Sequence, residues 1–246
     1  MAQTLGFCFV VMLGFLIEAT LGFGGTVAAL PICSMLVGIR IAVPAITIVV
    51  CVASLVIMVQ DWKHIDWRAF GTMFLLMALG MPVGMLAYAW LPERPLKILL
   101  GLFTLFVACK GLFWHPAQKE ERPVTRGRRI LLYSCLLLGG VIHGAFSCGG
   151  VLAVLYATEV LKEKRAYRVT LSFIWFALNL LITVKNLFTG ALIPEVVSLS
   201  LWCIPFVAVA ILLGNYLHKR LNAALFTRFV YGMLFISGAL MIVQSL

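Results

Sequence analysis

Charge is what this chain has least of. Only 11% of its 246 residues are Asp, Glu, Lys or Arg, whereas about a quarter are in soluble globular proteins. Hydrophobic residues make up 63%, and mean hydropathy is +1.09. So few polar side chains cannot cover a water-soluble surface, and the solvent for most of this chain is lipid. There is no C-x-x-C pair and no Cys/His cluster at metal spacing. The seven cysteines (Cys8, Cys33, Cys51, Cys109, Cys135, Cys148, Cys203) stand singly, mostly inside apolar segments. A relay of paired thiols is disfavoured, and no metal or cofactor is expected. Phosphate-binding loops and protease motifs are missing too. The first residues, 1–4, carry no Lys or Arg, so the apolar run behind them lacks the basic start of a secretory signal and is read as mature chain. The net charge of +10 does not indicate nucleic acid as a partner, because an excess of Lys and Arg is already what membrane orientation requires.

What is present is a series of long stretches free of charge: residues 41–60, 69–92, 169–184, 196–217 and 229–246. Each approaches the ~17–25 residues that carry a helix across a ~30 Å hydrocarbon core. A further span over 95–114 holds Lys97 and Lys110 only near its ends, where long side chains snorkel to the interface. Trp62, Trp67, Trp90, Trp114 and Trp202 lie near span ends and read as interfacial anchors.

The chain also repeats itself. Residues 14–25 read GFLIEATLGFGG and residues 139–150 read GGVIHGAFSCGG, an offset of 125. It sets Gly14 on Gly139, Glu18 on His143, Gly24 on Gly149, Gly25 on Gly150, Arg40 on Arg165 and Ser54 on Asn179. The expected organisation is a first transmembrane half over 1–114, a polar linker over 115–128 and a second transmembrane half over 129–246.

Each half opens with a glycine-interrupted segment, 4–38 or 129–161, too long for one span and too short for two. It is either a long broken helix that crosses or a re-entrant hairpin. For the second segment, charge decides. If 129–161 crosses, the basic residues divide ten to nine and give no orientation; if it re-enters, Arg40, Arg94, Lys97 and Lys185 oppose the other fifteen. The hairpin of the first segment rests on the repeat. The expected fold is therefore an all-α polytopic membrane protein of two tandem four-segment halves, inverted relative to one another, with the linker cytoplasmic.

Two ionisable residues lie deep in these segments, Glu18 and His143, and they are mates under the repeat. Groups at such depth are costly and point to function, here a proton-coupling pair; the alternative is a neutral, internally bonded pair. The breaks 22–26 and 147–150 open half-helices whose N-termini attract anions. The candidate substrate-binding residues are thus Thr20, Gly22, Gly24, Gly25 and Thr26 at one break and Ser147, Cys148, Gly149 and Gly150 at the other. Ser54 and Asn179, with Thr47 and Ser172, lie on the spans that follow. The alternative is that the glycines only permit close helix packing.

The early G-F-G-G-T at 22–26 with Pro31 behind it, the His64-Ile65-Asp66-Trp67 turn, Gly80, Gly84 and the repeated break resemble the TauE/SafE family of sulfite and organosulfonate exporters over nearly the whole chain. That resemblance implies an eight-segment, four-plus-four bacterial permease of the inner membrane, exporting sulfite, sulfoacetate or a related sulfur anion on an ion gradient. The second break departs from the family's glycine-rich form with Ser147 and Cys148 and has no proline after it. The expected function is a proton-coupled secondary transporter, with a passive anion channel or a sulfonate importer as alternatives. An intramembrane enzyme using His143, Cys148 and Glu18 is the reading from another class.

Overall fold

The computed structural model describes residues 2–21, 24–113, 125–217 and 223–245. Among them every regular element is helical: α1 (Ala2–Leu21), α2 (Gly25–Val37), α3 (Ile39–Asp61), α4 (Trp67–Trp90), α5 (Glu93–Phe113), α6 (Arg126–Phe146), α7 (Gly150–Val160), α8 (Lys164–Phe188), α9 (Pro194–Leu217) and α10 (Ala223–Val243), with a 3-10 turn at Trp62–His64. Trp114 and most of the expected linker lie outside the described residues. Helices prevail because hydrocarbon offers no hydrogen bonds, so each backbone group must be satisfied within its own segment. Among the described residues six helices are long and apolar enough to cross a membrane: Ile39–His64, Trp67–Trp90, Glu93–Leu112, Arg126–Phe146, Lys164–Phe188 and Pro194–Gly214. In α10 the apolar stretch among described residues is shorter, Val230–Val243.

α2 and α7 have 13 and 11 residues, about 20 and 17 Å of rise, well short of the ~30 Å a crossing needs. Both fold back on the helix before them. In the first half Gly14 faces Gly25 and Ala29 while Gly6 faces Leu36, an antiparallel order. In the second, Gly139 faces Gly149 and Leu152, and Arg128 at the start of α6 bridges Glu159 near the end of α7 at 2.6 Å. Each opening segment is therefore a hairpin rather than one long broken helix.

The remaining packing fixes the direction of every helix. α1 runs parallel to α9, with Cys8 Sγ 3.5 Å from Cys203 Sγ and Ala19 against Gly214. α4 runs parallel to α6, with Gly80 on Leu137 and Gly84 on Val141; a Cβ at Gly84 would fall on the Val141 carbonyl oxygen. Such small residues let helix backbones touch where lipid provides no hydrophobic drive for association. α5 lies antiparallel to α10 (Gly101 on Ile242, Gly111 on Tyr231) and α3 antiparallel to α8. One end of the bundle gathers Arg40, whose guanidinium donates to the Tyr88 and Leu91 carbonyls at 2.5 and 2.6 Å, together with Lys185 and Arg94. At the other end Asp66 accepts from Arg68 and Ala69 N–H at 3.0 and 2.9 Å, capping α4, while its own N–H donates to Thr170 Oγ1. The His64–Trp67 turn is thus a helix cap that ties α4 to α8.

Candidate functional site

The two hairpin breaks and the middle of α3 and α8 enclose a cavity of about 30 Å³. Its lining residues come from both halves: Glu18, Gly24, Thr26 and Val27 from the first hairpin, Val50 from α3, His143, Ser147, Cys148, Gly150 and Val151 from the second hairpin, Trp175 and Asn179 from α8.

At the first break Gly24 takes φ 88°, the left-handed region that glycine enters without a Cβ penalty, and so turns the chain back into α2. No side chain of the preceding residue caps α2. Its first turn lies against α1 instead, with the Glu18 carboxylate beside the Thr26 backbone N–H. A Cβ added to Gly25 would stand 2.8 Å from Glu18 Oε2, which shows how closely the carboxylate sits on the positive end of this helix. Glycine is required there because that same Cβ would also collide with the Gly14 carbonyl oxygen.

The second break is built differently. Ser147 holds the left-handed conformation, φ 55° and ψ 21°, and α7 starts at Gly150 without a side-chain cap. Ser147 Oγ lies 2.6 Å from Thr47 Oγ1, which itself donates to the Val43 carbonyl at 2.7 Å. His143 is 1% exposed, and neither ring nitrogen has a partner. The imidazole stacks on Trp175 at 5.9 Å between centroids and 21° between planes. Asn179, fully buried, donates to the Trp175 carbonyl at 2.8 Å and leaves Oδ1 unpaired. Buried polar atoms are normally satisfied, since leaving one bare costs roughly 1–3 kcal/mol. Three such atoms around one cavity mark a place for a polar guest.

Of the candidate residues, Glu18, Gly24, Thr26, His143, Ser147, Cys148, Gly150 and Asn179 line this cavity. Gly25 and Gly149 lie in the breaks, packed against Gly14 and Gly139. Gly22 and the side chain of Thr20 fall outside the described residues. Ser54 is buried on α3 beyond Val50 and is not part of the lining. Ser172 donates to the Arg168 carbonyl at 2.9 Å, so its hydroxyl proton stays within its own helix. Trp175 escaped the sequence reading; its signal is a position in the middle of a span, whereas Trp62, Trp67 and Trp90 stand exposed at helix ends. A larger groove of about 610 Å³ along α9, beside Val197, Leu201 and Trp202, is open and mostly apolar, as a lipid-facing surface should be. Among the described residues no group of His, Cys, Asp or Glu is arranged to hold a metal ion.

The sulfite exporter TauE/SafE family is matched over residues 7–241, which take in both hairpins and the whole cavity lining. This chain belongs to the TauE/SafE family. No curated protein and no solved structure matches it. TauE/SafE proteins are membrane transporters, which sets aside the intramembrane enzyme. The geometry agrees, for His143 makes no hydrogen bond to Cys148 or Glu18. A small anion is the class of substrate, and a multi-pass membrane location follows from the family and the six crossing helices.

Proposed function

We propose that this TauE/SafE protein exports a small sulfur-containing anion, sulfite or a related sulfonate, in exchange or company with protons, and that the anion is held between the two hairpin breaks. The observation that carries the reading is convergence. Two half-helix starts from separate halves meet at one cavity with Glu18 and the unpaired atoms of His143 and Asn179. Thr26, Ser147, Cys148, Gly149 and Gly150 supply backbone N–H groups or hydroxyls, and Glu18 and His143 are the proton-carrying pair.

Helix packing supports inverted repeats of four segments each, divided at 1–114 and 129–246. Under the offset α1 corresponds to α6 and α4 to α9, so the parallel pairs α1/α9 and α4/α6 exchange with one another, while α3/α8 and α5/α10 are each a helix beside its own counterpart. Corresponding helices also point in opposite directions, as α1 and α6 do. A broken-helix site between inverted repeats is a recurring plan of secondary transporters. Arg40, Arg94, Lys97 and Lys185 belong to one end of the bundle and the other described Lys and Arg residues to the opposite end, which supports a cytoplasmic linker in a bacterial inner membrane.

The test is anion flux in proteoliposomes with sulfite, sulfoacetate, sulfate and chloride, with and without a pH gradient, for wild type and Glu18→Gln. Movement of a sulfur anion that depends on the gradient in wild type and loses that dependence in the variant is the expected result. Equal flux in both proteins, indifferent to the gradient, establishes a passive channel instead. No flux of any of the four anions overturns the proposal.

A further inference from the structure

The cavity between the breaks is small. Its volume of about 30 Å³ is a small fraction of that of the open groove along α9. Such a space favours a compact oxyanion stripped of its hydration shell over an anion that carries a carbon chain.

One wall sets this size. The Trp175 indole lies between the His143 ring, stacked on it at 5.9 Å, and the start of α7, where a Cβ on Gly150 would stand 3.0 Å from the six-membered ring. Only 9% of Trp175 is exposed, and its carbonyl is tied to Asn179 one turn along α8. The ring cannot swing aside without displacing an imidazole, a helix start or both. Val27 and Val50 also line the cavity, side chains already short and stiff at χ1. An SO3 group reaching the α7 N-terminus would direct any organic substituent away from the N–H groups and onto the indole.

We infer that Trp175 is the specificity-determining residue of this site, closing it against organosulfonates and leaving bare oxyanions of the sulfite class as the substrate. The inference rests on the transport reading above and narrows it. Rejecting or admitting one methylene in an apolar pocket is worth about 10- to 200-fold. Discrimination should therefore rise steeply along a series of alkanesulfonates.

The experiment has two arms. In wild-type proteoliposomes, sulfite flux is competed by methane-, ethane- and propanesulfonate, with inhibition expected to fall at least about tenfold from unlabelled sulfite to ethanesulfonate. In Trp175→Ala and Trp175→Phe, the ratio of ethanesulfonate to sulfite flux is measured directly; it should rise at least about tenfold in the alanine variant and less in phenylalanine. A merely structural tryptophan would lower both fluxes together and leave the ratio unmoved, and that outcome overturns the inference. So does a wild type inhibited as well by ethanesulfonate as by sulfite, which needs no variant to fold. Wild-type sulfite flux separates the two levels: without it the transport reading itself falls, and with it but an unchanged ratio only the role of Trp175 does.

Discussion

Ser147 combines two opposing energies at one backbone position, and substitutions separate them. Among the described residues it is the non-glycine residue at positive φ, held at 55°. That conformation costs an L-residue about 1–2 kcal/mol. Against this stands its buried hydrogen bond with Thr47 at 2.6 Å, worth about 0.5–1.5 kcal/mol. Because Thr47 donates to Val43, Ser147 is the donor in this pair, and removing the hydroxyl strands no buried proton. Ser147→Ala loses the bond and keeps the strain, a destabilisation of about 1 kcal/mol. Ser147→Gly loses the bond but releases the strain, so it should fall near wild type. In thermal unfolding of detergent-solubilised protein followed by tryptophan fluorescence, about 1 kcal/mol corresponds to roughly 2–4 °C for a chain of this size. The glycine variant should melt that much above the alanine variant. Flux should respond otherwise: a bound anion would have to draw the Ser147 proton away from Thr47, both variants lack that proton, and both should transport sulfite equally poorly. Equal melting temperatures for the two variants would refute the strain argument, and wild-type flux in both would remove Ser147 from the site.

Three further outcomes test the frame around the cavity. Gly84→Leu forces a side chain onto the Val141 backbone and should destabilise by at least the ~1–3 kcal/mol typical of overpacking, seen as loss of monodisperse protein in size-exclusion chromatography; a wild-type elution profile would refute the close α4/α6 contact. Arg40→Met removes two charge-assisted bonds to the carbonyls ending α4 and should cost about 2 kcal/mol in thermal unfolding, with Arg40→Lys recovering only part because one ammonium cannot match the guanidinium fork. In a background without native cysteines, Arg94→Cys and Lys164→Cys should react with an impermeant maleimide from opposite membrane faces; labelling of both from one face would refute the proposed topology.

The broad architecture was readable because lipid makes strong demands on a sequence. Charge-free stretches have to be helices, and segments of 33–35 residues with central glycines cannot be plain spans; length left a broken helix and a hairpin both open, and for the first segment only the 125-residue offset favoured the hairpin. Charge counting distinguished a returning second hairpin from a crossing one, and the Arg128–Glu159 bridge between its ends is the physical counterpart of that count. What a sequence lacks is a coordinate for depth. Thr47 and Ser54 are seven residues apart and share a face of α3, yet the cavity reaches Thr47's partner and Val50 and stops before Ser54. Trp175 went unread because a large aromatic inside a span is ordinary packing until its neighbours are known. The contact between Glu18 and Thr26 depends on the left-handed turn at Gly24, and no spacing rule gives the direction in which such a turn aims a helix.

That contact decides how charge must move in the proposed cycle. While ionised, Glu18 occupies the α2 N-terminus as a resident anion, so the two breaks are not equivalent although the repeat relates them. A substrate anion arriving about 4 Å away would meet a repulsion of about 4 kcal/mol per unit of its charge at an effective dielectric of 20, close to a thousandfold in affinity for each. Protonating Glu18 removes the repulsion and leaves the positive end of α2 open to the substrate. Anion binding and proton binding at Glu18 are therefore mutually favourable, and by linkage each strengthens the other by the same factor. For a sulfite dianion carried with one proton, a single net negative charge crosses the membrane. An inside-negative potential drives that charge outward with about 2.3 kcal/mol per 100 mV. On this reading export needs no carboxylate to cross the bilayer ionised; the potential supplies the drive, and a pH difference changes the flux through the one proton carried.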